Sequence, residues 1–360
     1  MLRVGGAIIT LCGFRRVNII DVSVEGCEII DIGRSFDSRL VHRIWLVFSN
    51  FFSVPKEIYD QRFDIIIARN LEMLVLSQKW RRELGGIPVV YECLDIHRLM
   101  FGSGTVSVAL RLCERRLIAR CKMLVLSSPA FFRNYFAPIQ NVNLPVRLVE
   151  NKVFFEIFWG KLSSSSVLSA SDQRPWRIGW FGMIRCMRSI EFLIHLVSSN
   201  PGLVEVVIAG RPTKAVFQNF SDLVAGVPGL KFIGEYEVKD LPRLYESVHF
   251  TWAIDFFEEG QNSAFLLPNR IYEGMAFGSV PIALDDVETG HWLRAHGAGI
   301  LIGRIDEVEN VLKEMTRELF EAHADAISRI ARKDIVTTEE ECIRFVQDLK
   351  CLSSGGMVLE

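Results

Sequence analysis

Short apolar runs rich in Val and Ile recur along this chain, and each is followed by a stretch with helical spacing. Continuous apolar strands joined by helices are buried on both faces, which implies parallel strands in a doubly wound sheet. Residues 7–14, 27–32, 64–68, 88–92 and 123–127 read as strands, with helices over 70–84 and 107–121 among them. A Ser-rich break at 160–175, GKLSSSSVLSASDQRP, then interrupts the pattern. The alternation restarts with strands at 176–181, 204–209, 231–234, 250–253, 280–283 and 300–302. Helices are expected there at 189–199, 240–246, 268–276, 307–331 and 338–349. The fold class is therefore α/β, with two Rossmann-like domains facing across a cleft. The first domain covers 1–160, a linker 161–175 and the second domain 176–335.

The first domain opens irregularly. In MLRVGGAIITLCGF, residues 1–4 read as the last turn of a helix, followed by Gly5 and Gly6 and then a strand. A doubly wound domain begins with a strand, so its first strand and most of its first helix are expected to be absent.

Composition removes several classes. The chain is 49% hydrophobic and 23% charged, which excludes a disordered chain, a coiled coil and a collagen-like repeat. It has no uncharged apolar run of about 18 residues, the length that a spanning helix needs. The start lacks the tripartite order of a signal peptide, and the expected location is cytoplasmic. The eight cysteines include no C-x-x-C pair and no zinc-site spacing, as suits reduced thiols. Charge is uneven: residues 1–165 hold 22 Lys and Arg against 15 Asp and Glu, and the remainder 19 against 28. The basic first half either faces an anionic partner or reflects the ordinary asymmetry of two domains.

Three stretches offer chemistry. In 178–188, IGWFGMIRCMR, a strand is expected to end at Phe181, Gly182 to make the turn, and Arg185 and Arg188 to precede a helix. Free backbone N–H groups at such a start attract an anion. Two arginines there either neutralise a diphosphate leaving group or lie solvated on a loop. In 259–281, Gly260, Gln261, Asn262 and Ser263 form a polar turn before a helix that carries Glu273. That carboxylate either accepts hydrogen bonds from ribose hydroxyls or pairs with Arg270. In 91–97, YECLDIH, the residues Glu92, Asp95 and His97 gather at a strand end, with Arg69 and Asn70 one strand over and Ser127 and Ser128 after the next.

The stretches 64–70 (DIIIARN), 91–99 (YECLDIHRL), 126–131 (LSSPAF), 149–153 (VENKV), 178–188 and 262–281 together resemble retaining glycosyltransferases of the two-Rossmann-domain (GT-B) type. The resemblance is to the bacterial family 4 group, and within it to enzymes of exopolysaccharide and succinoglycan biosynthesis. It runs along nearly the whole chain, and its last two stretches are the most specific. It implies that Arg185 and Arg188 bind the donor diphosphate, with Arg in place of the family's Lys. Glu273 matches the second of the family's paired glutamates, which binds the ribose. The first falls on Phe265, which leaves donor-sugar contacts to Asn262 and Ser263. His97, beside Asp95, matches a histidine that contacts the donor sugar. The family's glycine-containing loop after its first strand would lie before Met1. The final helix, 336–350, is expected to cross back to the first domain.

The resemblance thus implies a hexosyltransferase that moves a sugar from a UDP- or GDP-linked nucleotide-sugar with retention and without a cofactor. His97, Asp95, Arg185 and Arg188 would act in transfer. Gly182, Asn262, Ser263, Asn269 and Glu273 would hold the donor, and Arg69, Asn70, Glu92 and Ser128 would face a glycan or lipid-linked acceptor. No metal is expected, because Asp-x-Asp occurs nowhere and Asp285-Asp286 lacks that spacing. The basic helix 110–122 (LRLCERRLIARCK) and the aromatic run 45–52 (WLVFSNFF) either hold the chain on the inner membrane face or belong to an ordinary amphipathic helix and core. No nucleic-acid module is present. Two other readings stand beside this one: a sugar-nucleotide epimerase of the same plan, and a truncated, non-catalytic nucleotide- or glycan-binding homologue.

Overall fold

The computed structural model describes residues 1–16, 24, 26–35, 40–52, 54–155 and 174–355. Apart from Arg174 and Pro175, the Ser-rich linker lies outside the described residues. Two compact units emerge: Met1–Glu150 together with Thr338–Glu360, and Asn151–Thr337.

In the first unit, β1 (Ile9–Arg16) and β2 (Cys27–Ser35) form a parallel pair. A separate parallel sheet runs in the order β3 (Ile66–Arg69), β4 (Val89–Cys93), β5 (Met123–Leu126), β6 (Val146–Leu148). β5, Met-Leu-Val-Leu, is buried at every position, as a strand covered on both faces must be. The helix Glu339–Ser353 covers one face, where Phe345, Leu349 and Leu352 pack with Val90, Met123 and Val125. Thr338 and Glu341 close its N-terminus as a reciprocal capping box.

The opening residues dock on the same helix. Gly5 N–H bonds Met1 O at 2.9 Å, Gly6 N–H bonds Arg3 O at 3.0 Å and Ala7 N–H bonds Leu2 O at 3.0 Å. Gly6 has φ +86, so this is the left-handed glycine ending of a helical turn. Packing requires glycine at position 5, where a Cβ would lie 2.5 Å from Cys342 O.

The second unit is one parallel sheet. It contains β8 (Trp176–Ile184), β9 (Val204–Pro212), β10 (Leu230–Gly234), β11 (Phe250–Trp252), β12 (Val280–Leu284) and β13 (Ile300–Ile302), in the order β10-β9-β8-β11-β12-β13. Trp180, Phe181, Phe250 and Trp252 are fully buried in its core. β7 (Val153–Phe154) and β14 (Val336–Thr337) pair beside it. The strand order reverses between β8 and β11, the position where such sheets open a crevice for ligands.

Several sequence expectations need correction. β8 does not end at Phe181 but stays paired with β9 as far as Ile184. Gly182 is therefore a bend inside the ladder rather than a turn after it. It has φ +112 and lies opposite Gly210, whose φ is +132. A Cβ on Gly210 would stand 1.8 Å from Gly182 O, so the two backbones approach in a way that only glycine allows. Arg188 lies within the first turn of the helix Met187–Ser199 rather than before it. Residues 262–263 start a short helix, Asn262–Phe265, rather than a turn. The single helix read at 307–331 is two, Glu307–Glu314 and Arg317–Ser328, with Thr316 capping the second. The run 45–52, offered as a membrane contact or a core segment, lies mostly on the helix Leu40–Phe51, and its Trp45, Phe48 and Phe52 are exposed rather than in the core.

Candidate active site

Where the strand order reverses, Arg185 follows β8 and Asp255 follows β11. Arg185 Nη2 bonds Asp255 Oδ2 at 2.9 Å, and the guanidinium lies 5.0 Å from the Phe257 ring centroid. Asp255 is itself held in place, because its Oδ1 accepts from Phe257 N–H at 2.9 Å. Cys186 caps the next helix, its sulfur accepting from Ser189 N–H at 3.4 Å. Two residues on, Arg188 Nη1 reaches both Glu259 oxygens at 2.9 Å, and its guanidinium sits 4.0 Å from the Phe256 ring centroid.

The loop Asp-Phe-Phe-Glu-Glu at 255–259 thus supplies a carboxylate and a ring to each arginine. The two pairs differ in strength. The Arg188 and Glu259 side chains are 52% and 59% exposed, whereas Arg185 and Asp255 are 29% and 12% exposed. Solvent screens the outer pair more, so an incoming anion displaces Glu259 more easily than Asp255. With the N-terminus of Met187–Ser199 beside them, the two guanidinium groups suit a diphosphate.

Glu273 lies on the helix Asn269–Ala276, which Pro268 precedes. Its Oε2 accepts from the Tyr245 hydroxyl at 2.8 Å. Tyr245 is fully buried, edge-on to Phe181 at 4.9 Å, so the carboxylate is held by a fixed ring. Burial pushes the Glu273 carboxyl above its ordinary range, while the Tyr245 hydroxyl and the Arg270 charge pull it back. Arg270 does not take Glu273 as a hydrogen-bond partner; its guanidinium donates to Trp252 O at the end of β11, 3.3 Å away. Oε1 of Glu273 is left as an acceptor for vicinal hydroxyls.

Asn262 and Ser263 are buried, and Ser263 Oγ accepts from Glu258 N–H at 3.0 Å, which ties the short helix to the acidic loop. Asn269 is exposed at the start of its helix. A recess of about 20 Å³ between Asp255, Ser263, Pro268 and Thr289 has room for roughly one water.

In the first unit, Arg69 and Glu92 are register partners at the ends of β3 and β4 and form a two-point ion pair at 2.7 and 3.2 Å. Asn70 has φ +68, a left-handed start to the helix Asn70–Glu83. Asp95 and His97 lie exposed on the loop after β4. His97 Nδ1 accepts from Leu99 N–H at 3.3 Å. Ser127 and Ser128 are buried: Ser127 Oγ donates to Leu94 O, and Ser128 Oγ accepts from Ala130 N–H as a helix cap.

Sequence reasoning missed Asp255, Glu259 and Tyr245. The first two carried a signal, an acidic and aromatic cluster directly after an apolar strand. Tyr245, far from Glu273 in sequence, carried none.

An arginine pair at the switch point of a Rossmann-like sheet, with a braced glutamate on a helix of the same unit, fits the two-Rossmann-domain glycosyltransferase class. Solved structures share the fold. Sucrose-phosphate synthase from Thermosynechococcus elongatus matches with a TM-score of 0.72 at 12% identity, over 99% of this chain and 91% of that one. Anabaena HepE in complex with UDP-glucose matches at 0.62 and 14%, over 94% and 99%. The lipopolysaccharide outer core galactosyltransferase WaaB matches at 0.58 and 13%, over 95% and 98%. No family model matches the sequence. The succinoglycan biosynthesis protein ExoL of Rhizobium meliloti (strain 1021) is 39% identical over 355 residues, 97% of this chain and 88% of that one. The chain belongs to this family of exopolysaccharide-building glycosyltransferases.

Proposed function

We propose that this chain transfers a hexose from a UDP- or GDP-linked donor to a glycan or lipid-linked acceptor, with retention at the anomeric carbon and without a metal. The observation that carries the reading is the arginine pair after β8 at the strand-order reversal, the outer one held on an exposed, displaceable carboxylate. As the bond from the anomeric carbon to the β-phosphate breaks, negative charge grows on the departing diphosphate. Arg185, Arg188 and the N-terminus of the Met187–Ser199 helix would stabilise it, the task that a metal performs elsewhere. Glu273 would take the ribose hydroxyls on Oε1, and Asn262, Ser263 and Asn269 would hold the sugar. HepE, which shares the fold, has been solved with UDP and with UDP-glucose.

His97 and Asp95 are assigned to the transferred sugar. Arg69, Asn70 and Glu92 are assigned to the acceptor, with Ser128 shaping the loop beside them. A non-catalytic nucleotide binder is the second reading. Phe265, where the family has its first glutamate, favours it, and turnover with a set of acceptors would exclude it.

Contact with the inner membrane face is part of the proposal. Ile44, Trp45, Phe48 and Phe52 are 60%, 60%, 62% and 65% exposed along one side of the helix Leu40–Phe51 and its end. Such an aromatic face suits a lipid interface. The basic helix Thr105–Ile118 contributes less than its sequence suggests. Arg111 donates to Met100 O and Gly102 O at 2.8 and 2.6 Å, and Arg115 donates to Ile139 O. Among the described residues, no helix is long and apolar enough to cross a membrane.

The test is calorimetric titration with UDP and GDP in the presence of a chelator, repeated with Arg188→Ala and Glu273→Ala. Saturable binding of one nucleotide, weakened by both substitutions, supports the donor site. No binding by the folded chain overturns it. Loss of vesicle binding in Trp45→Ser/Phe48→Ser tests the membrane contact.

A further inference from the structure

The helix Thr105–Ile118 carries polar residues on its inner side. Ser107, Arg111, Glu114 and Ile118 follow one another at helical spacing along one stripe, with Ser107, Glu114 and Ile118 buried and Arg111 half-buried. Val106, Val108 and Leu112 lie exposed instead. Packing alone would turn the apolar residues inward, and burying a guanidinium or a carboxylate is costly unless each is hydrogen-bonded. The stripe therefore has a task besides filling the core.

That task is to hold the segment 91–102. Glu114 accepts from the Tyr91 hydroxyl on β4 at 2.9 Å. Arg111 Nη1 donates to Met100 O at 2.8 Å and to Gly102 O at 2.6 Å. Beside them the loop meets the helix so closely that a Cβ on residue 102 would lie 2.5 Å from Ser107 Oγ. The two carbonyls that Arg111 takes stand at the end of the short turn Arg98–Met100, where the last C=O groups of a helical turn lack partners within it. A guanidinium suits them, because its donors lie in one rigid plane.

The same turn is bonded to His97. Met100 N–H bonds His97 O at 2.7 Å, and Leu99 N–H bonds His97 Nδ1 at 3.3 Å. Ahead of the turn, Ser127 Oγ donates to Leu94 O at 3.2 Å and Cys93 Sγ to Asp95 O at 3.1 Å. Ile96 is buried between the exposed Asp95 and His97. The backbone before His97 is thus fixed by the ends of β4 and β5 and by a buried side chain. The backbone after it is fixed by Arg111.

We propose that Arg111 is a positioning residue: its guanidinium fixes the turn 98–102, and through that turn the direction of the His97 ring at the carboxyl end of β4. Arg111 acts through two backbone carbonyls and not by meeting the sugar. A misplacement of about 1 Å costs on the order of 100-fold where a side chain must meet a reacting group. That His97 meets the transferred sugar rests on the proposed glycosyltransferase reading; that Arg111 fixes the turn does not.

The experiment compares wild type with Arg111→Met, which keeps an apolar stem and removes the donors, and with Arg111→Lys, which keeps a charged donor. Residue-resolved hydrogen exchange reads the turn. In Arg111→Met the Met100 and Phe101 amides, which close it, are expected to exchange about 10- to 100-fold faster, with the β5 amides unchanged and Arg111→Lys in between. Exchange within about 2-fold of wild type at Met100 and Phe101 overturns the proposal. Equal acceleration in β5 overturns it too, since Arg111 would then support only general stability. If circular dichroism shows Arg111→Met unfolded, Arg111→Lys is judged by the same criteria. Calorimetry with UDP-glucose and GDP-mannose, each against its free nucleotide, reads the consequence at the sugar. The affinity that the sugar adds should fall by about 10-fold in Arg111→Met, and should fall no further in Arg111→Met/His97→Ala than in His97→Ala. Additive losses in the double variant overturn action through His97. If His97→Ala changes neither affinity, the sugar-contact reading of His97 fails, and the exchange result decides Arg111 by itself.

Discussion

Removing the Tyr245 hydroxyl isolates one of the two interactions that oppose the effect of burial on Glu273. Tyr245→Phe keeps the buried ring between Phe181 and Phe277 and deletes only the 2.8 Å bond to Oε2. Burial already lifts the Glu273 pKa, and the hydroxyl and Arg270 oppose it. A hydrogen bond to a charged group contributes about 1.5–3 kcal/mol. Its loss lifts the Glu273 pKa further, because one of the two groups that oppose burial is gone. Accepting two ribose hydroxyls requires the ionised form, so nucleotide affinity is full above this pKa and is lost as pH falls through it. The acid limb of affinity against pH should therefore move to higher pH in Tyr245→Phe. Folding stability carries the opposite sign. A carboxyl whose folded pKa is raised contributes stability that is present below its unfolded value and lost as pH rises through the folded one. The variant's Tm deficit should therefore be larger at neutral than at acid pH. Titration calorimetry of wild type and variant across that range decides the matter. Coincident acid limbs would refute the assignment of Glu273 as a hydroxyl acceptor braced by Tyr245.

Other substitutions have defined outcomes. Gly210→Ala forces a Cβ to 1.8 Å from Gly182 O at φ +132 and should lower stability by about 3 kcal/mol or more, read as a fall in Tm. Arg188→Ala should weaken nucleotide binding by about 10- to 100-fold, the worth of a charge-assisted hydrogen bond. Glu259→Gln, which frees Arg188, should leave binding unchanged or tighter, and calorimetry checks both. Glu114 is buried, with its carboxyl pushed up by burial, and accepts from Tyr91 at 2.9 Å and from Tyr135 and Gln140. Glu114→Ala strands two buried hydroxyls, at about 1–3 kcal/mol each, and should fall well below wild type in thermal melts. Glu114→Gln should stay close to wild type, since Gln140 Oε1 has no partner among the described residues and can accept once that amide turns.

The parts of the fold written in local order were legible. β4, β5, β9 and β12 are apolar runs bounded by breakers, and their expected and observed limits differ by at most a few residues. β6, Val-Arg-Leu, was not legible, because three residues at a sheet edge with alternating exposure leave no periodic signal. The helix Leu40–Phe51 was hidden for a different reason: its exposed Trp45 and Phe48, with Phe52 just past its end, look like core until the fold shows which side they occupy. The same division runs through the candidate site. Arg185 and Arg188 follow an apolar strand at a fixed offset, so sequence alone nominated them. Asp255, Glu259 and Tyr245 lie 70, 71 and 28 residues from their partners, and nothing in the local pattern couples them. Gly182 was found for the wrong geometric reason. Its left-handed backbone serves a close approach to Gly210 rather than a turn, a distinction set by the neighbouring strand.

The long-range partners also change what the arginines mean. Two bare guanidinium groups at a helix N-terminus would repel each other and the helix dipole. Asp255 and Glu259 remove that penalty and leave the local charge near neutral before a ligand arrives. On the proposed reading, a nucleoside diphosphate exchanges its own negative charge for that of Glu259, so the net electrostatic gain is smaller than two free arginines would give. What the site retains is orientation: Phe256 and Phe257 hold the guanidinium planes whichever anion is present. The inner pair, little exposed and anchored through Phe257 N–H, keeps its geometry on binding, while the outer pair exchanges. On the proposed reading, affinity should then be set mainly at Arg188 and Glu273, and stabilisation of the leaving group mainly at Arg185.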